Sequence, residues 1–575
     1  MRPYSVWAPA AREVRLRRGN SDLPMRQLAS GWWVPAGSVR RSGDYGFVID
    51  GEGPFPDPRS PWQPNGVHGL SRPFSPGHFR WTDQGWSPPS LRSGVIYEMH
   101  IGTFTPEGTF AAALNRLDHL VELGITHVEL MPVHQFPGAR GWGYDAASLF
   151  ATHDAYGGPV GLMHFVNGCH ARGLAVILDV VYNHLSPEGN YLPRYGPYLT
   201  ERYGTLWGQA LNLDGPGSDQ VRRLICDNAL RWLRDFHVDG LRLDAVHGFI
   251  ETSALPLLEQ LAAEVDELEL QLGRELTLIA ENNQNDSRIV RPRTIGGRGL
   301  DLLWNDDFHH ALHVALTGEQ DGYYRDFAGV TDLATCLSRG LVYAGLYAGS
   351  REAVVGRPHD YPPPCSLVAY QQNHDQVGNR ALGDRLGHLV KPHLVRLGAA
   401  LVLTAPFVPM LFQGEEWGAT SPFLYFTDLQ DPALGRAVRQ GRRREFAEFL
   451  GPGSRVPDPQ AESTFERSKL NWQERELPAH QAMLEYYRSL IWLRRRTPDL
   501  WTGQRGADVT SGRSWLMARR EGLAVAVNLG RRRRTVTLAG EGGGWEVLAG
   551  SRSGATVAAG AVSLPAQALA ILRKG

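Results

Sequence analysis

The sequence predicts an α/β protein with a (β/α)8 TIM barrel, an N-terminal β-sandwich domain and a C-terminal all-β domain. The first observation is the length, because 575 residues exceed what one hydrophobic core normally supports. The second is that short apolar runs alternate with amphipathic helices through the middle of the chain, which indicates parallel strands joined by helices. The third is the short, glycine-punctuated strands near both ends. We place the domains at residues 1–90, 91–495 and 496–575.

The N-terminal segment has the pattern of an all-β domain. Gly, Pro and Ser interrupt any helical period there, and a proline-rich segment, 54–64, precedes the boundary near Ser90. Short strands are predicted at residues 4–8, 14–16, 32–34 and 44–49.

Eight apolar runs in the middle of the chain are the predicted barrel strands. They lie at residues 95–100, 125–132, 174–181, 238–244, 276–281, 302–305, 366–370 and 408–412. Amphipathic helices are predicted between them, for example at residues 110–123 and 218–236. This count is that of a (β/α)8 barrel enlarged by insertions. Beyond about residue 500, alternating patterns predict strands at 514–518, 523–528 and 534–538.

Composition excludes several classes of protein. Lysine and arginine total 59 and aspartate and glutamate 60, so a nucleic-acid partner is not expected. The longest uncharged apolar stretch, 397–412, is shorter than the ~20 residues of a membrane span. The four cysteines are far apart without CxxC spacing, and the N-terminus lacks an apolar signal segment. We therefore expect a soluble, cytoplasmic, monomeric protein with reduced thiols.

Polar residues gather where the predicted barrel strands end, which is where reactive groups of such barrels lie. The residues at the ends of the third, fourth, fifth and seventh strands are His184, Arg242, Asp244, His247, Glu281, His374 and Asp375. A single aspartate at a strand end is more often a loop cap or an ion-pair partner. Polar residues of this kind at four strand ends are harder to explain by structural roles alone. They predict an active site at the end of the barrel where the strands terminate, which we call the mouth.

The three carboxylates can be given different roles. Arg242 and Asp244 project to the same side of their strand, so the guanidinium is expected to keep Asp244 ionised, as a nucleophile requires. Glu281 follows the apolar run 276–280, so desolvation is expected to raise its pKa and keep it protonated as a general acid. Glycoside hydrolysis uses such a pair. Asp375 is then available to stabilise the transition state or to hold sugar hydroxyls.

These four segments together resemble the four signature regions of the α-amylase superfamily of glycoside hydrolases. The resemblance implies a retaining mechanism with Asp244 as nucleophile, Glu281 as acid/base and Asp375 as transition-state stabiliser. It also implies a short carboxylate separation, about 5–5.5 Å. His184, Arg242 and His374 would line the subsite of the attacked sugar, with Tyr144 as the aromatic platform beneath it.

Further segments are similar to the malto-oligosyltrehalose trehalohydrolase family. They are residues 96–105, 136–145, 184–192, 303–313, 372–380 and 468–472. The similarity implies hydrolysis of the α-1,4 bond next to the terminal trehalose unit of maltooligosyl-trehalose. One departure is Asn282-Asn283 after Glu281, where the family more often has Ser-Asp; this puts only local contacts in doubt.

The same resemblance suggests how the sugar is held. Asn305, Asp306, Asp307 and His309 are expected to offer hydrogen bonds to trehalose hydroxyls, with a solvated acidic loop as the alternative interpretation. Trp207 and Trp417 are candidates either for sugar stacking or for the core. The complete set of predicted substrate-binding residues is Tyr144, Asp145, His184, Arg242, His247, Trp304, Asn305, Asp306, Asp307, Phe308, His309, His374, Gln376 and Asn379.

The sequence leaves two other functions open. A glucan branching transferase of the same superfamily would share the domain order and the carboxylates, and a non-catalytic glucan-binding protein would share the fold. The N-terminal domain is expected to brace the barrel, with glucan binding as its alternative role. We expect no cofactor and no metal, since Asn183 has no cluster of aspartates near it to complete a calcium cage.

Overall fold

The computed structural model of the protein describes residues 3–205, 208–358, 361–446, 456–502, 506–538 and 544–575. Its centre is a closed barrel of eight parallel strands, which follow one another around the barrel in chain order. Each strand coincides with one of the eight apolar runs, so the predicted barrel is confirmed. The strands are β7 (Ile96–Met99), β8 (His127–Leu130), β11 (Ala175–Val180), β14 (Gly240–Leu243), β15 (Thr277–Ala280), β16 (Leu302–Trp304), β19 (Leu367–Tyr370) and β20 (Val408–Phe412).

Apolar side chains fill the interior of the barrel. One cluster inside it contains Ile96, Ile177, Ile279, Val368 and Met410, all of them fully buried. Because side chains alternate along a strand, the intervening residues point outwards to the surrounding helices. The packed interior leaves the C-terminal mouth of the barrel as the place where polar groups collect.

Helices surround the barrel and connect its strands. The helix predicted at 218–236 is α6, whereas the one predicted at 110–123 is broken into α2 and α3 at Asn115 and Arg116. The α-helices are α1 (Ile101–Phe104), α2 (Phe110–Leu114), α3 (Leu117–Leu123), α4 (Gly158–His170), α5 (Leu192–Tyr195), α6 (Ser218–Asp235), α7 (Leu257–Leu272), α8 (Asp306–Thr317), α9 (Val330–Arg339), α10 (His374–Gly378), α11 (Leu386–Leu389), α12 (Pro392–Thr404), α13 (Pro432–Glu445), α14 (Glu462–Ser468) and α15 (Pro478–Arg496). None of them, within the residues described, is long and apolar enough to cross a membrane.

Three antiparallel strand pairs are inserted between the barrel units. They are β9 (His134–Gln135) with β10 (Ser148–Thr152), β12 (Leu199–Thr205) with β13 (Gly208–Leu211), and β17 (Leu346–Ala348) with β18 (Ala353–Val355). These insertions account for a barrel region longer than eight minimal strand–helix units require.

The N-terminal domain is all-β, as predicted. Its antiparallel strands form one continuous sheet in the order β1–β4–β3–β2–β5–β6. They are β1 (Val6–Trp7), β2 (Val14–Arg18), β3 (Ser21–Gln27), β4 (Trp32–Pro35), β5 (Tyr45–Ile49) and β6 (Glu52–Phe55). Two polar contacts tie the domain to α6: Trp32 Nε1 donates to Gln220 at 2.9 Å, and Arg59 pairs with Asp227 at 2.7 Å.

The C-terminal domain is all-β and contains two sheets. One has the order β21–β22–β23–β28–β25 and the other β24–β27–β26, with an apolar cluster shared between them. The strands are β21 (Asp508–Gly512), β22 (Trp515–Arg520), β23 (Leu523–Asn528), β24 (Arg534–Thr537), β25 (Trp545–Gly550), β26 (Thr556–Ala558), β27 (Ala561–Leu564) and β28 (Ala568–Lys574). The domain packs against α9 and α12 of the barrel region.

Candidate active site

Arg242 forms the centre of the polar cluster at the barrel mouth. Strand β14 carries it, and its side chain is fully buried. Its Nη1 lies 2.7 Å from Asp179 Oδ2 and 3.0 Å from Asp244 Oδ1, and its Nη2 lies 2.7 Å from Glu281 Oε2. The guanidinium also lies over the ring of Trp304, at 4.1 Å from its centroid. One cation therefore fixes three carboxyl groups from three neighbouring strands.

Asp244 is held through both of its carboxylate oxygens. Oδ1 accepts from Arg242, and Oδ2 accepts from the Asn183 side-chain amide at 2.9 Å. The next residue, Ala245, has φ of +38°, a left-handed conformation that is uncommon outside glycine. This sharp turn directs the Ala245 N–H to Glu281 Oε2 at 2.9 Å. The backbone after Asp244 thus helps to place the second carboxyl group.

Glu281 has the raised pKa that the preceding apolar run predicts. Burial raises the pKa of this carboxyl to about 8, against the opposing effect of Arg242, and the negative charges of Asp244 and Asp375 add to the rise. Both of its hydrogen bonds fall on Oε2, from Arg242 and from the Ala245 N–H. At neutral pH the group therefore holds a proton that it can donate.

Asp375 is the most open of the three carboxyl groups, with 38% of its side chain exposed. It lies in the first turn of α10 and accepts a hydrogen bond from the Asn379 side chain at 2.9 Å. Burial raises its pKa, while the neighbouring His374 and Arg242 oppose that rise. This exposure leaves the carboxyl accessible to a bound sugar.

His374 is a buried cation beside Asp375. Burial lowers the pKa of its ring, but the carboxylates of Glu98 and Asp375 outweigh this effect and raise it to about 9. Glu98, on β7, accepts from the ring Nδ1 at 2.6 Å and from the His374 backbone N–H at 2.8 Å. Tyr144 stacks on the imidazole, with 5.0 Å between ring centroids. Glu98 thus sets both the orientation and the charge of His374.

Replacing Glu98 with glutamine is expected to lower kcat/KM by roughly 10- to 100-fold, because a charged hydrogen bond to buried His374 is lost. The pKa of His374 should fall, so the imidazole becomes neutral at lower pH. In the wild type, stability from this raised pKa is fully present below about pH 6.5 and is lost as pH rises through about 9. Histidine NMR titration and urea unfolding at pH 6.5 and 9.5 measure both effects.

Glu129 on the neighbouring strand provides the matched control for the Glu98 variant. It is 1% exposed, and burial holds its pKa well above the usual range, so glutamine preserves its neutral state. Glu129→Gln should leave the His374 titration and kcat/KM nearly unchanged. An unaltered histidine titration in Glu98→Gln would contradict the role given to Glu98.

Tyr144, His184 and Asp145 lie along one wall of the mouth. The half-buried Tyr144 donates its hydroxyl to Asp179 Oδ2 at 2.6 Å, and its carbonyl lies 2.9 Å from His184 Nε2. Burial, reinforced by Glu188, raises the pKa of Asp145 to about 6. The wall therefore presents an aromatic ring and hydrogen-bonding groups together, which is what sugar recognition requires.

Several of the residues after the sixth strand make hydrogen bonds within the protein. Asn305 caps α8 by accepting from the Phe308 N–H at 3.1 Å, and it also donates to the Gly340 carbonyl. Asp307 accepts from the backbone N–H groups of Val342 and Tyr343. The predicted substrate contacts that are buried in this structure are Trp304, Asn305, Asp307, Phe308 and His309, and their contact with sugar stays a prediction. Trp304 is the last residue of β16 and lies inside the barrel beneath Arg242, whereas Asp307, Phe308 and His309 belong to α8.

Asp306 is the member of this set that lies in the mouth. Its carboxyl accepts from the hydroxyl of Tyr370 and from Gln376 Nε2 at 3.5 Å. Gln376 in turn accepts from Tyr323, whose side chain is 42% exposed. His247 is partly buried nearby, and burial lowers its pKa while Asp244 and Asp306 raise it. These groups form a second polar wall of the mouth.

Replacing Asn305 with alanine is expected to lower the free energy of unfolding by about 1–3 kcal/mol, because the helix cap and a buried hydrogen bond are lost. The KM of the folded enzyme should change less than twofold. Denaturant unfolding and steady-state kinetics on one preparation separate the two quantities. A rise in KM without loss of stability would restore the interpretation of Asn305 as a substrate contact.

Glu98 and Asp179 were not singled out from the sequence, and Asn183 was considered only as a calcium ligand. Glu98, Asp179 and Asn183 all lie in or beside strands whose apolar character was noted. A carboxylate within an otherwise apolar barrel strand is a signal that finds the first two, since burial of a charge requires a partner. Of the two tryptophan candidates, Trp417 is fully buried against His119 and Trp472, and Trp207 lies outside the described residues.

Comparison with known proteins agrees with this geometry. Residues 76–202 match the family described as Alpha amylase, catalytic domain, and residues 505–571 match Domain of unknown function (DUF3459). A curated malto-oligosyltrehalose trehalohydrolase from Arthrobacter ramosus is 52% identical, over 86% of this chain and 88% of the relative. A protein of the same name from Rhizobium sp. (strain M-11) is 48% identical, over 92% of this chain and 91% of the relative.

A solved structure extends the likeness to three dimensions. The Salmonella typhimurium protein described as an alpha amylase superposes with a TM-score of 0.91 at 38% identity, covering 99% of this chain and 97% of that chain. The similarity therefore includes the N-terminal sheet domain, the barrel and the C-terminal domain. With about half of its residues identical to relatives of that name over most of both lengths, the chain belongs to the malto-oligosyltrehalose trehalohydrolase family, a branch of the α-amylase-type glycoside hydrolases.

Proposed function

We propose that the protein hydrolyses the α-1,4-glucosidic bond next to the terminal trehalose unit of maltooligosyl-trehalose and releases trehalose and a maltooligosaccharide with retention of configuration. The observation that carries the proposal is the sharing of one buried guanidinium by Asp244 and Glu281. Their unequal environments favour an ionised nucleophile beside a protonated acid. The names of the relatives supply the substrate.

In the first step, the Asp244 carboxylate attacks the anomeric carbon, and the bond from that carbon to the glycosidic oxygen breaks. Glu281 gives its proton to the departing oxygen, so trehalose leaves with a neutral hydroxyl. The other sugar remains joined to Asp244 as an ester. The fixed orientation of Asp244 by Arg242 and Asn183 supports this role, because attack requires alignment with the breaking bond.

In the second step, water replaces trehalose. The ionised Glu281 takes a proton from water, whose oxygen attacks the anomeric carbon and displaces Asp244. Positive charge develops on the sugar ring in both transition states. The open carboxyl of Asp375 suits it for stabilising that charge, while cationic His374 is placed to hold hydroxyl groups.

Trehalose recognition is assigned to the wall that contains Asp306, Gln376 and Tyr323. These side chains are hydrogen-bonded to one another, and Tyr323 offers an exposed ring. A site built to pair with sugar hydroxyls rejects a poorly matched sugar strongly, because its polar groups would lose their partners. Such rejection would separate a trehalose-terminated chain from an ordinary glucan.

The product distribution tests the proposal. The enzyme should release free trehalose from maltotriosyl-trehalose far faster than it releases glucose or maltose from maltopentaose, as measured by chromatography. NMR during the reaction should show the new reducing end first as the α-anomer. Formation of α-1,6 branches from amylose without trehalose release would instead identify a branching transferase.

A further inference from the structure

A second cavity lies between the barrel and the C-terminal domain. Its volume is about 570 Å³, within the range of small-molecule sites. Its walls come from the first turns of α12 and α15, from the segment after β20, and from the loop that follows β25. It is lined by residues other than those that form the Arg242 cluster.

The residues that line this cavity are predominantly basic. Arg385, Arg396 and Arg552 line it, together with His393 and His480. Neither segment 385–414 nor segment 547–575 contains an aspartate or a glutamate. The remaining charged residue of the lining, Glu415, is 2% exposed, and burial raises its pKa to about 8. The described lining therefore presents positive charge without an ionised carboxylate at neutral pH.

Two helices direct their N-terminal ends to the same cavity. α12 and α15 both begin with proline, and neither has a capping side chain or an acidic residue in its first turn. Helix N-termini carry partial positive charge and favour anions. The partial positive charges of the two helix N-termini therefore add to the positive electrostatic potential of the arginines.

Buried donors without partners provide an independent observation. Arg385 is 2% exposed and donates Nε to the Ser421 carbonyl and Nη1 to the Gln413 carbonyl. Its Nη2 has no hydrogen-bond partner within the described part of the chain, and neither has Nε1 of the fully buried Trp417. Both side chains line the cavity. Unpaired buried donors are costly, so an acceptor that reaches them would be bound favourably.

We propose that this cavity between the barrel and the C-terminal domain binds the phosphate group of a small phosphorylated metabolite. Arg396 from α12 and Arg552 from the loop after β25 pair with the phosphate, and the buried Arg385 adds positive charge to the same lining. The volume of the cavity fits a small molecule, whereas a nucleic acid needs an extended basic face. The proposal is independent of the trehalohydrolase activity, whose substrate is uncharged.

Binding is tested on the full-length enzyme by isothermal titration calorimetry with inorganic phosphate, glucose 6-phosphate, ADP and glucose. Phosphate-bearing probes should bind saturably with one site per chain, and glucose should not bind. The tighter of glucose 6-phosphate and ADP identifies a sugar phosphate or a nucleotide as the source of the phosphate. Binding should persist when the active site is saturated with a maltooligosaccharide.

Charge reversal locates the site. Arg396→Glu and Arg552→Glu should each weaken binding of glucose 6-phosphate or ADP by about tenfold or more. Arg573→Glu is the matched control, because it changes the same charge on an exposed residue of the same domain outside the cavity lining. The partly exposed arginines are used because replacing Arg385 would also remove its hydrogen bonds to Ser421 and Gln413.

Three results would overturn the proposal. The first is an absence of saturable binding by all phosphate-bearing probes. The second is an equal loss of affinity in Arg573→Glu, which would indicate non-specific attraction. The third is displacement of the phosphate probe by maltooligosaccharide, which would place it beside Arg242 and His374. Unchanged thermal unfolding of the variants confirms that they are folded.

Discussion

Replacing Asp244 with asparagine is expected to lower kcat on maltooligosyl-trehalose by roughly 10⁴-fold or more, since removal of a covalent nucleophile has effects of that order. The amide keeps the size of the side chain and accepts the Arg242 hydrogen bond through its oxygen. Substrate should therefore still bind, and the dissociation constant measured calorimetrically should remain within about tenfold. Steady-state kinetics and binding on one preparation measure the two quantities.

The Asp244 variant has a matched control at the rim of the mouth. Asp428 contacts Arg140 and the Ala139 N–H, and it is not part of the Arg242 cluster. Asp428→Asn makes the same chemical change without touching the reacting groups, and kcat should stay within about threefold of the wild type. If Asp244→Asn retained more than a tenth of the wild-type kcat, the assignment of the nucleophile would be wrong.

The same variant tests the electrostatic arrangement around the cluster. Asp244 is one of the negative charges that raise the pKa of Glu281. Removing that charge should lower the pKa of Glu281. The alkaline decline of any residual activity should therefore occur at lower pH than in the wild type. The two carboxyl groups therefore act as one coupled unit, and their mutational effects should not be additive.

Much of the fold could be predicted because the spacing of apolar residues along the chain indicates which side chains are buried. All eight barrel strands are short apolar runs that alternate with longer helical segments, and each is present. Strands β3 and β6 were missed because they contain Pro24 and Pro54, and proline normally argues against a strand. The break between α2 and α3 was missed because the apolar period continues across Asn115 and Arg116.

The part of the site that could be predicted consists of the residues at the ends of the barrel strands. Arg242, Asp244, Glu281 and His374 are brought together as expected, because parallel strands deliver their C-terminal residues to one mouth. The residues after β16 could not be assigned, because a difference of one residue in the start of a helix rotates each side chain by about 100°. Among them, Asn305 stabilises the start of α8.

Replacing Glu281 with glutamine is expected to lower kcat on the natural substrate by roughly 10³-fold or more, because neither leaving-group protonation nor activation of water remains. The wild type should lose kcat/KM as pH rises through about 8, where the Glu281 proton is lost from the raised pKa of that carboxyl. Glutamine has no proton to lose in this range. The alkaline limb assigned to Glu281 should therefore be absent from the pH profile of the variant.

A substrate with a good leaving group separates acid catalysis from nucleophilic catalysis. Fluoride leaves from α-maltosyl fluoride with little need for a proton, so Glu281→Gln should still form the Asp244 ester from it, whereas Asp244→Asn should not. Azide, a nucleophile that needs no general base, should then release the Glu281→Gln ester as the α-glycosyl azide. An equal loss on fluoride and natural substrate, without azide rescue, would remove Glu281 from the acid/base role. Success of this pair of experiments would mean that Arg242 fixes two carboxyl groups whose chemistry differs because desolvation and neighbouring negative charge raise the pKa of Glu281.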